Sequence, residues 1–247
     1  FPLSLTQQKR WSYEKSNTVI HFSGNFRRHY LKGNLNLAVL TASLNEIIYR
    51  HQILRVTFRE VNGSPVQLIN PYTEKTLPII DLQPWPENQK NEELARLLQE
   101  IINQPFDLIN GPLIRLILIR LDEKDHILLT HIHDIIIDNS SLTLFFKELE
   151  LLYQAFVLGD SSPLPPLPIQ YVDYVQWQLK SFSSQLIEPK INHYKRILEA
   201  GESPTLQIPP HLISPSRSSH KLSDSSVSSL GTNFDFEIPR DFTEKLN

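Results

Sequence analysis

Two apolar runs separated by four charged residues constrain this chain more than any other feature. Pro112 to Leu121 and His126 to His133 are rich in Leu and Ile and are joined through Asp122-Glu123-Lys124-Asp125. Runs of this length around a charged turn read as adjacent strands. A long helix is expected next, from Ser141 to about Val157, because Leu142, Phe145, Phe146, Leu149, Leu152, Tyr153 and Phe156 recur at helical spacing. A largely apolar strand that feeds an amphipathic helix needs a sheet with helices packed on it. The expected fold class is therefore α+β, a mixed α/β sandwich.

The flanking segments fit that class. Gln7 to Lys15 is helix-compatible, with Leu5 and Trp11 as apolar anchors, and Thr18 to Tyr30 alternates as a strand with an extended continuation. Asn34 or Asn36 can cap a helix in which Leu37, Leu40, Leu44, Ile47 and Ile48 recur through Arg50. Strands are expected at Ile53 to Arg59 and Pro65 to Ile69, turned at Asn62-Gly63, and again at Pro78 to Leu82. Glu92 to Asn103 reads as an amphipathic helix.

Beyond the Pro-rich connector at Ser161 to Pro168, helices are expected at Tyr171 to Ser181 and Ile187 to Ala200. A Ser-rich stretch follows, Ser214 to Ser229, then a strand through Phe234, Phe236 and Ile238 and a helix opening at Asp241. The expected division is 1–160, a first lobe; 161–213, connector and bridging helices; and 214–247, the start of a further lobe.

Composition excludes several functions. The chain has 247 residues, with 24 Lys+Arg against 27 Asp+Glu, a net charge of −3. That balance lacks the general electrostatic footprint of a nucleic-acid binder. The most apolar stretch, Leu113 to Leu121, is too short for a membrane span and is interrupted by Arg115 and Arg120. There is no cysteine, so disulfides, thiolate nucleophiles and Cys-ligated zinc are impossible. The chain lacks methionine and begins at Phe1 without a signal sequence. It is expected to be a piece of a longer polypeptide, with a cytoplasmic location.

The dense polar cluster in an apolar setting is Thr130-His131-Ile132-His133-Asp134-Ile135-Ile136-Ile137-Asp138-Asn139-Ser140-Ser141, between a strand and a helix. Helix N-termini offer unpaired N–H donors there. His131 and His133 share one strand face, but their spacing completes no metal-ligand set, so no metal is expected. No Gly-x-Ser-x-Gly is present, and Ser140-Ser141 are expected to cap the helix. General base chemistry is the remaining reading: a His at a strand end with an Asp four or five residues on.

This segment resembles the core motif of condensation domains from nonribosomal peptide synthetases, His-His-x-x-x-Asp-Gly. His133 aligns with the first histidine, Asp134 with the second, Asp138 with the aspartate and Asn139 with the glycine. Other segments resemble the family's motifs in the family's order. They are Ser4 to Trp11; Arg50-His51-Gln52-Ile53-Leu54-Arg55-Val56-Thr57-Phe58; Pro105-Phe106-Asp107-Leu108 with Gly111-Pro112-Leu113 and Arg115; and Tyr171-Val172-Asp173-Tyr174-Val175-Gln176-Trp177-Gln178.

The resemblance implies a two-lobed fold like that of chloramphenicol acetyltransferase, with the second lobe largely missing from this chain. It implies carrier-protein partners and neighbouring synthetase domains. No cofactor binds directly; phosphopantetheine arms on the carriers deliver thioesters, and a downstream amine attacks the upstream thioester to give an amide. The family's second motif histidine acts as base or positions the amine, and its aspartate pairs with an arginine; Asp138 would keep that structural role. Arg50, His51, Arg55, Asn139, Ser141, Tyr171, Asp173 and Trp177 are expected to support the motif.

Asp134 departs from the pattern. A carboxylate stops about 2 Å short of an imidazole nitrogen, and its usual pKa of about 3.9 matches neutral pH poorly. Asn139 stands where the family turns its backbone on glycine, a place Asn tolerates better than most residues. Three functions stay open: a degenerate or truncated amide-forming domain; an active acyltransferase with an altered site, using His133 or Asp134; and a non-catalytic docking or scaffold module. Heterocyclising relatives keep Asp-x-x-Ser, which Asp138 and Ser141 fit, but Asp134 is out of register with them.

Overall fold

The two apolar runs form the middle of a four-stranded sheet in the computed structural model, which describes residues 1–16, 24–181 and 184–199. The chain divides into two units, Phe1–Ile191 and Asn192–Asn247. In the first, the order is α1 (Leu5–Ser16), β1 (Gly24–Lys32), α2 (Leu37–Arg50), a 3-10 turn (Gln52–Arg55), β2 (Val56–Val61), β3 (Ser64–Ile69), β4 (Ile79–Asp81), α3 (Glu87–Asn103), β5 (Ile114–Arg120), β6 (Asp125–His133), α4 (Asn139–Val157) and α5 (Tyr171–Ser181). Helix α6 (Ser184–Glu199) runs past the boundary between the units. The segments expected from Ser214 onward lie outside the described residues, as do the first residues of the expected Thr18 to Tyr30 strand.

The sheet order is β1-β6-β5-β4, with β6 antiparallel to both neighbours and β4 parallel to β5. Alternation along β6 sends side chains to two cores. Leu128 and Ile132 pack in the cluster that holds Leu44 and Ile47 of α2 and Phe145, Leu149 and Leu152 of α4. Ile127 and Leu129 pack with Leu98 and Ile101 of α3. Helices on both faces make the mixed α/β sandwich expected from the sequence.

Local chemistry sets the element ends. Ser4 and Gln7 form a reciprocal capping box on α1: the Gln7 N–H donates to Ser4 Oγ at 3.2 Å, and the Ser4 N–H donates to Gln7 Oε1 at 3.0 Å. Asn36 caps α2, accepting from the Val39 N–H at 3.2 Å. Asn62 and Gly63 turn β2 into β3 with φ of 51° and 76°, the left-handed pair that a two-residue hairpin requires.

Two of the boundaries that differ from expectation have a visible cause. The strand expected from Ile53 begins only at Val56, because Gln52–Arg55 coil into the 3-10 turn. The Arg55 guanidinium fixes that turn by donating to the carbonyls of Ile48, Tyr49 and Asn70. Helix α3 starts at Glu87 rather than Glu92, directly after Pro86.

The two-core arrangement predicts that Leu152→Ala lowers unfolding free energy by about 2–5 kcal/mol, since Leu152 is fully enclosed. Leu151→Ala, whose parent is half-exposed on the same helix, should change it by about 0.5 kcal/mol or less. Urea denaturation of the two variants checks the contrast.

Candidate active site

The polar residues at the end of β6 are held by α1, which lies across them. His133 is 1% exposed. Its Nδ1 accepts the Ile135 N–H at 3.0 Å, so the proton of the neutral ring sits on Nε2, which faces Glu14 Oε1 at 3.4 Å. Burial lowers the His133 pKa to about 4, outweighing the opposing pull of the Glu14 carboxylate. His131, on the same face, is lowered to about 4 by burial and by Arg115. Both rings stack edgewise on Phe106, at 4.6 and 5.5 Å between centroids. Gly24 of β1 must be a glycine for this packing: a Cβ there would fall 2.5 Å from His131 Nε2.

Asp134 has both oxygens engaged. Oδ2 lies 3.3 Å from the Arg10 guanidinium, and Oδ1 accepts from Asn25 Nδ2 at 2.7 Å. Burial holds its carboxyl above the usual range, and the Arg10 guanidinium offsets that only in part. Arg10 and Glu14 are one turn apart on α1, so a single helix face answers both polar residues.

Among the described residues no arginine pairs with Asp138, and its partner is local. Asp138 caps α4, accepting from the Ser141 N–H at 2.7 Å and the Ser141 hydroxyl at 2.6 Å. The Ser141 hydroxyl holds the Asp138 carboxyl below the usual range. The cap is therefore Asp138, not Ser140 or Ser141, which lie in the first turn of α4. Asn139 opens the helix without the positive φ that a glycine-like turn would need, and its side chain accepts from Arg27 at 3.1 Å.

Asp134 and Asp138 line a cavity of about 560 Å³ together with His51, Ser141, Tyr171 and Tyr174; His133 does not line it. Tyr171 shares a hydrogen bond with Ser4 at 2.9 Å, which ties α5 to the start of α1, and burial raises its pKa. Gln178 of α5 accepts the Leu5 N–H at 3.0 Å. Asp173 caps α5 by accepting the Gln170 N–H at 2.8 Å. Trp177, 58% exposed, lies outside the cavity lining.

Of the second motif, Arg50 and His51 meet at one carboxylate that sequence reasoning missed. Glu148 of α4, 6% exposed, lies 2.6 Å from His51 Nε2 and 3.5 Å from Arg50 Nε. Its signal was visible: Glu148 stands on the inward stripe of α4, between Phe145 and Leu152. Arg10 and Glu14 gave a weaker signal, their spacing on α1. Among the described residues, no group of three or more His, Asp or Glu is placed to hold a metal ion. No helix among them is long and apolar enough to cross a membrane.

Comparison with known proteins supplies the family. A model of the Condensation domain matches residues 1–245. One of the linear gramicidin synthase proteins of Brevibacillus parabrevis is 38% identical over 210 residues, 84% of this chain and 4% of that protein. Among solved structures, the X-domain in its complex with OxyB from teicoplanin biosynthesis superimposes with a TM-score of 0.71 at 28% identity, covering 84% of this chain and 45% of that one. The starter condensation domain of rhizomide synthetase RzmA superimposes at 0.70, covering 79% of this chain and 47% of that one; at 18% identity it speaks for the fold.

The chain belongs to the condensation-domain family of nonribosomal peptide synthetases, and its fold is of the chloramphenicol acetyltransferase-like kind. It spans about half the length of these solved structures.

The buried end of β6 makes stability depend on pH. By NMR, the His131 and His133 imidazoles should stay neutral until pH falls towards 4. Their folded pKa values lie below the unfolded value of about 6.5. The stability they contribute is therefore complete above pH 6.5 and is lost as pH falls through 4. Urea midpoints measured across that window should decline. Separately, Asp138→Ala should cost about 1 kcal/mol through loss of the α4 cap, read by thermal unfolding.

Proposed function

We propose that this chain is the part of a condensation domain that receives carrier-borne acyl thioesters for transfer to an amine, and that position 134 does not supply the base for that transfer. The partners on this reading are acyl or peptidyl carrier proteins and neighbouring synthetase domains. The phosphopantetheine arm enters as part of the substrate.

One observation carries the second half of the proposal. The carboxylate at the motif's catalytic place is tied to Arg10 and Asn25, with neither oxygen left unpaired. A carboxylate fixed by a guanidinium and an amide is held in place rather than free to turn towards an attacking amine, even with its pKa raised by burial. The cavity beside it is of ordinary ligand size.

The full-length polypeptide encoded by the reading frame, given charged donor and acceptor carriers, should form amide slowly. Asp134→His should raise the rate at least about tenfold, a small part of what a positioned general base contributes. An Asp134→His rate no higher than the wild-type rate would show this reading of position 134 to be wrong.

A second reading is a docking or scaffold module without chemistry. The likeness to an X-domain solved in complex with OxyB favours it. Carrier or partner binding without turnover, in wild type and in Asp134→His alike, would favour it further.

A further inference from the structure

The cavity beside the core motif contains an imidazole, and it comes from the second motif rather than from the core one. Among the described residues that line it, the titratable side chains are Asp134, Asp138, His51, Tyr171 and Tyr174. Asp134 is bound to Arg10 and Asn25, and Asp138 is committed to the cap of α4. Tyr171 is pushed towards its protonated form by burial, and the Tyr174 hydroxyl accepts from Gln178. His51 is the imidazole of this wall.

Its geometry is that of an oriented base. Glu148 Oε2 lies 2.6 Å from His51 Nε2. An ionised carboxylate only accepts, so Nε2 carries the proton and Nδ1 keeps its lone pair. No hydrogen bond to Nδ1 is present among the described residues. Glu148 is itself fixed: it is buried and approached by Arg50. The His51 main chain is fixed too, its N–H donating to the Ile47 carbonyl at 3.0 Å. A carboxylate that sets the tautomer and aim of an imidazole is the arrangement by which histidine bases are prepared for acyl transfer.

We propose that His51, positioned by Glu148, is the base for the acyl transfer that this cavity supports; this rests on the acyl-transfer reading above. The amine nitrogen attacks the thioester carbonyl carbon. Nδ1 takes the proton that the nitrogen sheds, the C–S bond breaks, and the proton passes to the departing sulfur. Amine and thioester become amide and thiol. Glu148 is a positioning residue, because it acts through His51.

The groups facing His51 are Glu148 and Arg50 on the protein side and Asp134, Asp138, Tyr171 and Tyr174 around the cavity. The test is single-turnover amide formation by the full-length polypeptide, with an acyl-loaded donor carrier and an aminoacyl-loaded acceptor carrier. In His51→Gln the amide nitrogen can still donate to Glu148, but the ring Nδ1 is gone. This variant should lose about 100-fold of the wild-type rate while its thermal midpoint holds. Glu148→Gln keeps a partner on Nε2 but removes the charge that stabilises the ring as it takes the proton, so the rate at saturating carrier should fall about tenfold with half-saturation unchanged. A purely structural tie between α2 and α4 would not divide the rate from the half-saturation in this way.

Unchanged saturating rates in both His51→Gln and Glu148→Gln overturn the inference. So does a wild type that binds the carriers and forms no amide at any pH, a result that leaves the family reading of the fold intact. Failure to bind either carrier would instead overturn the acyl-transfer reading itself. If His51→Gln does not fold, the saturating rate of Glu148→Gln decides.

Discussion

Every side chain of β6 from His126 to His133 is buried, and that condition governs the site. A polar group taken out of water must find a partner or remain uncharged. At the end of the strand both solutions are used. His133 is held neutral, with the Ile135 N–H on one nitrogen and Glu14 opposite the other. Asp134 keeps a charge partner in Arg10. His131 Nδ1, His126 Nδ1 and Thr130 Oγ1 have no hydrogen-bond partner among the described residues, so these imidazoles resist protonation. Helix α1 is thereby part of the site. Its own anchors, the Ser4–Gln7 capping box and the bonds from Ser4 and Leu5 to α5, carry mechanical consequence for the motif.

The sequence made the frame legible wherever a single local rule decided. The Asn62-Gly63 hairpin, the Asn36 cap and the long helix after the second apolar run each rest on chemistry within a few residues. It misled where the deciding bonds were tertiary. Ile53, Leu54, Val56 and Phe58 look like a continuous strand in composition. What coils Gln52–Arg55 is a guanidinium reaching back to the end of α2 and across to the Asn70 carbonyl. Likewise the family motif located Asp138, but the hydroxyl that holds it, three residues away, was read as the cap rather than as the cap's donor.

The motif also marked residues without their relations. Arg50, His51, Asp134 and Tyr171 stand in it as separate supports. The cavity joins His51, Asp134 and Tyr171, while Arg50 and His51 share Glu148. No motif contained Glu148 or Glu14. A carboxylate on the inward stripe of an amphipathic helix costs desolvation unless it is paired, so its presence there is itself evidence of a buried cation or imidazole opposite. That rule would have flagged Glu148 from the sequence. Glu14 lies on a helix of weak amphipathicity, where no stripe marks a residue as inward.

The exchange of imidazole for carboxylate that the motif resemblance implies at position 134 would change more than proton affinity. An imidazole has nitrogens on opposite sides of a ring, so one can be anchored while the other faces a substrate. The oxygens of a carboxylate share one carbon, and here Arg10 and Asn25 occupy both. In the proposed role His51 has the geometry of such an imidazole: its Nε2 is fixed by Glu148, and the residue lines the cavity. On the proposed reading, the pairing that fixes Asp134 and the pairing that orients His51 are the same kind of interaction. Their outcomes differ because both oxygens of a carboxylate are held together by such a pair, whereas an imidazole paired through one nitrogen keeps the other on the opposite side of its ring.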